Sequence, residues 1–133
     1  MTEFFYRLLF CFVIGNSDMH LKNFSLIENA PGSRVFDLSA AYDLLPVNIV
    51  VPADKEEVAL TLNGKKQNIR KKDFLCLAEN LEISKKTAEA FIKRITGFEE
   101  RYVECVADSY LPEDMRNAVA KLIRERINRL ENK

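Results

Sequence analysis

A chain of 133 residues, 47% hydrophobic and 30% charged, is long enough to enclose one core and is neither disordered nor fibrous in composition. No apolar run reaches the roughly 18 residues needed to span a bilayer. Three cysteines (Cys11, Cys76, Cys105) without metal-ligand spacing argue against a disulfide framework and for a reducing, cytoplasmic setting, and the single His20 argues against a zinc site.

The formal net charge is +0, unevenly distributed: residues 1–60 carry four basic and eight acidic side chains, and residues 61–133 carry sixteen and twelve. That asymmetry suits metal-binding carboxylates in the first half and polyanion contacts in the second, although most of the basic residues read as solvated helix faces.

In chain order, residues 1–14 read as a buried helix, capped by Thr2 and stopped by Gly15, and apolar on nearly every face (Phe4, Phe5, Leu8, Leu9, Phe10, Phe12, Val13, Ile14). Such a helix is expected to be covered all round, by more protein than its own neighbours supply. Residues 15–46 form the polar loops. Within them Phe24–Ile27 and Arg34–Phe36 are expected to pair as a hairpin across the Asn29–Ser33 turn.

Residues 47–70 read as loop and hairpin, with a strand over Val58–Leu62 ended by Asn63-Gly64. Residues 71–131 are predicted helical. A first helix turns Phe74, Leu75, Leu77, Ala78 and Leu81 inward. A second, capped by Ser84, continues through Gly97 to Val106. A last one opens at Pro112, its first helical position. Phe91 is expected in the core, where truncation to alanine would cost about 3–5 kcal/mol. The expected architecture is one mainly α domain over residues 1–133, like a kinase C-lobe, with one or two short β-hairpins near the catalytic loop.

The chemistry concentrates in Gly15–Phe24. Asp18 and Asn23 stand five positions apart, the spacing of the catalytic Asp and the metal-binding Asn in the kinase catalytic loop, and Tyr42-Asp43 follows in a later loop. Phosphoryl transfer needs hard oxygen ligands for Mg²⁺ and a carboxylate to orient the acceptor hydroxyl. On that reading Asp18 is catalytic, Asn23 and Asp43 hold metal, and Lys22 and His20 steady the loop or contact phosphate. Taken alone, Asp-x-x-x-x-Asn is also common in turns for local reasons.

Gly15-Asn16-Ser17-Asp18-Met19-His20-Leu21-Lys22-Asn23-Phe24-Ser25 resembles the signature G-x-x-D-x-H-x-K-N-F-S of the HipA family. Leu38–Pro46, Leu60–Lys65 and the helical tail are similar to the same family, with Ala40 where that family has proline. The resemblance implies a kinase-like fold with Asp18 as the catalytic residue and Asn23 and Asp43 as Mg²⁺ ligands. It implies a serine/threonine kinase of bacterial toxin–antitoxin systems with ATP as cosubstrate.

A HipB-like DNA-binding antitoxin is the usual partner in that family. Its best-known members phosphorylate glutamate–tRNA ligase, so an aminoacyl-tRNA synthetase is the kind of protein substrate implied. The chain opens just before the catalytic loop, without a Gly-rich phosphate loop, nucleotide-pairing lysine or hinge. A missing N-terminal lobe, in the same or a separate chain, is therefore an expected partner, and the chain alone is expected to be inactive.

Two other readings stand beside this one. Asp-x-His-x-x-Asn also resembles loops of aminoglycoside, choline and phosphoinositide kinases, so a small-molecule or lipid phosphotransferase lobe fits, although Lys22-Asn23-Phe24-Ser25 favours HipA. A kinase-derived binding module without catalysis is the third. The basic run Lys65–Lys72 lacks interleaved aromatics, and neither direct nucleic-acid contact nor membrane association is expected from it.

Overall fold

The structure, a computed structural model, describes residues 1–132. Helix α1 (Thr2–Ile14) leads through a one-turn 3-10 helix (Leu21–Asn23) to strands β1 (Leu26–Glu28) and β2 (Phe36–Leu38). Short helix α2 (Val47–Val50) precedes α3 (Lys71–Asn80), α4 (Lys85–Thr96), α5 (Glu99–Ala107) and α6 (Glu113–Glu131).

The core forms where α1 meets the helical body. Phe5, Leu9, Phe12 and Val13 of α1 pack with Phe74 and Ala78 of α3, Ala88, Ile92 and Ile95 of α4, and Val119, Ile123, Ile127 and Leu130 of α6. The edge-on pair Phe12–Phe74, with ring centroids 5.4 Å apart, joins α1 to α3. The inward positions of α6 recur at three- and four-residue spacing, as an amphipathic helix requires.

Helix α1 ends at Gly15, whose φ of 77° lets the chain reverse into the polar loop while its N–H and that of Asn16 bond back to Phe12 and Cys11. Its first residue is Thr2 itself, with Met1 at the cap position. Pro112 likewise caps α6, which starts at Glu113. Ser84 caps α4 as expected, its hydroxyl accepting the Thr87 N–H at 3.1 Å.

Four further expectations are corrected. The helix through Gly97 is two helices, broken at the residue with the weakest helix propensity so that α5 can turn onto α6. The hairpin pairs two residues later than expected, with Leu26 opposite Leu38 and Glu28 opposite Phe36. The Glu28 carboxylate accepts the amides of Gly32 and Arg34, which draws Ser33–Val35 into the turn, and Phe24 leaves the ladder to pack on Phe4.

Val58–Leu62 is not a strand. Asn63 and Gly64 turn with positive φ, but the arms pair only at Leu62–Lys65 and through Glu57 N–H to Lys66 before Asn68, also at positive φ, diverts the chain. Phe91, finally, is half-buried rather than enclosed, and Cys105 is exposed while Cys11 is buried. Among the described residues no helix is long and apolar enough to cross a membrane.

Candidate active site

The loop after α1 is built on buried polar side chains. The Asn16 Oδ1 accepts the Asp18 N–H at 3.3 Å, and the Ser17 hydroxyl donates to Asp54 at 2.7 Å. The Asn48 N–H bonds the Gly15 carbonyl at 3.1 Å. From α6, Arg126 donates to the Phe12 carbonyl at 3.0 Å and to Asn48 Oδ1 at 3.1 Å, its guanidinium 4.7 Å from the Phe12 ring centroid. Burial pulls the Arg126 pKa down to about 10, Glu57 opposing the fall. The base of the loop is thereby tied to the far end of the chain.

On this base Asp18 and Asn23 come together. The 3-10 turn over Leu21–Asn23 brings the buried Asn23 side chain under the loop, where its Nδ2 donates to the Asp18 carbonyl. Among the described residues no donor meets Asn23 Oδ1. The Asp18 carboxylate is about half exposed, with His20 Nε2 3.4 Å away. The Lys22 side chain is exposed and forms no hydrogen bond or ion pair among the described residues.

Asp43 reaches this loop through its neighbour. The Tyr42 hydroxyl lies 2.7 Å from Ser25 Oγ and donates to the Lys22 carbonyl at 3.1 Å, so it clasps the chain on both sides of Asn23. Asp43 itself is exposed, with φ of 54°, a left-handed conformation that aspartate tolerates better than most residues. No group of three or more His, Cys, Asp or Glu residues that could cage a metal occurs among the described residues. The side-chain oxygens of Asn23 and Asp43 are each of the hard type that Mg²⁺ takes from protein.

Several participants escaped the sequence reading: Arg7, Asn16, Asn48, Glu57 and Arg126. Arg7 carries a signal, being the one basic residue in a largely apolar helix. The basic run is largely engaged within the chain, Lys65 with Asp73, Lys66 with Glu56 and Lys71 with Glu89.

The helical body that carries this loop has a counterpart among solved structures. The solved Shewanella oneidensis MR-1 toxin–antitoxin complex of HipA, HipB and operator DNA has this fold, with a TM-score of 0.75 at 20% identity over 96% of this chain and 30% of that one. The HipA-like C-terminal domain model matches residues 1–102, and the chain belongs to that family.

A Sinorhizobium fredii protein named "Putative kinase Y4dM" is 44% identical over 90 residues, 65% of this chain and 21% of its own length. A Haemophilus influenzae protein named "Putative kinase" is 26% identical over 141 aligned positions, 94% of this chain and 40% of its own length. The chain thus spans well under half of each of these relatives.

Proposed function

We propose that this chain is the catalytic-loop lobe of a HipA-like serine/threonine kinase of a toxin–antitoxin system, transferring the γ-phosphoryl group of ATP to a protein hydroxyl. The observation that carries the reading is the Tyr42 clasp, which joins the Tyr42-Asp43 segment to the two sides of Asn23. Asp18 orients the acceptor hydroxyl and takes its proton, from a carboxylate open to solvent on a loop fixed from below. Asn23, its amide nitrogen committed to the Asp18 carbonyl, and Asp43 would be the residues that hold the metal, each through a side-chain oxygen.

Mg²⁺, when bound there, neutralises the charge that develops on the phosphate oxygens. Lys22 and His20, on the same loop, serve as the phosphate-facing cation and a hydrogen-bond donor. The nucleotide-holding half would come from the part of the relatives that this chain does not span. A HipB-like antitoxin is the proposed partner, by likeness to the Shewanella complex, and the cytoplasm the proposed location.

The test takes the full polypeptide that carries this chain, with Mg²⁺, [γ-³²P]ATP and source-cell lysate as the pool of acceptors. Labelled phosphoserine or phosphothreonine is expected with the wild type and none with Asp18→Ala, whose melting temperature should match the wild type because the carboxylate is half exposed. Undiminished labelling by Asp18→Ala overturns the assignment.

A further inference from the structure

We infer that Arg7 is a positioning residue that sets the spacing between the two proposed metal-ligand segments, acting on Asn23 from one side and on Asp43 from the other. The inference rests on the assignment of those two residues as metal ligands.

The side chain of Arg7 lies in the middle of α1 and is only 6% exposed. From there a single guanidinium touches both limbs of the hairpin. Its Nη2 donates to the Ser39 carbonyl at 2.8 Å, just after β2 and four residues before Asp43. Its carbon stands 5.8 Å from the ring centroid of Phe24, the residue that follows Asn23. Phe24 is in turn braced against Phe4 of the same helix, the ring centroids 4.8 Å apart. Between the two limbs the Ser39 N–H bonds the Ser25 carbonyl at 2.8 Å, so Arg7 lies under the point where the hairpin closes nearest the site.

The rest of the hairpin is exposed and contributes little burial of its own to hold it against the helical body. Arg7 and Tyr42 therefore both anchor it at its open end: Arg7 from the helix, Tyr42 through the loop.

The energetics separate a positional role from a merely stabilising one. The same Nη2 also bonds Glu3 Oε1 at 3.2 Å, whereas the buried Nη1 meets no acceptor among the described residues. A buried guanidinium satisfied on one arm is a poor source of stability, and an apolar side chain of similar length is often neutral or stabilising in such a place. Lysine keeps the charge but not the planar fork that addresses Ser39 and Phe24 together. If Arg7 served only stability, Arg7→Met would be tolerated or would unfold the protein, and metal affinity would not move on its own.

The experiment measures Mn²⁺ affinity of the full polypeptide by water-proton relaxation, with ADP at fixed concentration, and thermal stability alongside. Arg7→Met is expected to weaken Mn²⁺ binding by roughly 10-fold or more, the usual effect of removing an outer support of a metal ligand. Its melting temperature should be unchanged or higher, and Arg7→Lys should fall between the two proteins. Amide hydrogen exchange at Ser39 supplies a readout without metal and should quicken in both variants.

Asp43→Asn and Asn23→Ala separate the two levels of the argument. If these weaken Mn²⁺ binding while Arg7→Met and Arg7→Lys leave both affinity and Ser39 exchange unchanged, the role of Arg7 is refuted and the metal assignment stands. If none of the four variants alters Mn²⁺ binding, both are refuted.

Discussion

The Lys65 ammonium lies 2.9 Å from the carboxylate of Asp73, a side chain with no exposed surface at the third position of α3. The same carboxylate accepts Asn63 Nδ2 at 2.8 Å and the Arg70 N–H at 2.9 Å. The Leu-Asn-Gly-Lys turn thus exists to deliver two side-chain donors to the start of a helix. Burial alone would raise the Asp73 pKa, but the bonds from Lys65, Asn63 and Arg70 outweigh it and hold the group below its ordinary value of 3.8.

The sign of the pH dependence follows. Above about pH 5 the carboxylate is ionised in folded and unfolded chains alike and its contribution is complete. As the pH falls past 3.8 the unfolded chain takes up the proton first, so the contribution drains away and is gone below the lowered folded value. Asp73→Asn is therefore expected to lose about 2–3 kcal/mol at pH 7, the scale of hydrogen bonds to a charged group. Urea titrations from pH 7 to pH 3 should show a constant gap to the wild type that closes only at the acid end. A gap that widens on acidification would refute this account.

Two phenylalanines of the helical body should respond very differently to truncation. Phe74 is fully enclosed, edge-on to Phe5 and Phe12, and Phe74→Ala should cost about 3–5 kcal/mol. Phe91 is half-buried against Phe5 and Tyr6, and Phe91→Ala should cost about 2 kcal/mol or less. Chemical unfolding of the two variants side by side checks the order; equal losses would contradict the burial difference.

That difference marks where pattern reading works. Apolar spacing finds α3, α4 and α6, because each turns one stripe to a common core, but it cannot tell a stripe's centre from its edge, and Phe91 sits at the edge. The spacing of Asp18 and Asn23 was readable because one short turn closes between them. The position of Asp43 was not, since it depends on a tyrosine hydroxyl reaching back 17 and 20 residues. Arg126 lay further out of reach: its bond to Phe12 spans 114 residues, and on α6 it passes for one more solvated cation until the fold closes. The hairpin was legible, but its strand bounds moved for a local reason, a glutamate carboxylate taking turn amides, which strand propensity does not record.

The junction between α1 and the candidate catalytic loop depends on a residue without a side chain. Gly15 sits at φ 77°, and a Cβ there would also run into the Leu122 side chain of α6. The left-handed conformation costs an L-residue about 1–2 kcal/mol, and Gly15→Ala adds to that whatever Leu122 loses by moving aside. The two contributions are separable, because Leu122 meets the site with the free end of a flexible side chain while the backbone has no second solution: its carbonyl is held by the Asn48 N–H and its own N–H by Phe12. In a Leu122→Ala background the cost of Gly15→Ala should therefore shrink without vanishing. A double-mutant cycle in urea measures both parts. Complete rescue by Leu122→Ala would mean that crowding alone, and not the backbone conformation, requires glycine at the mouth of the loop.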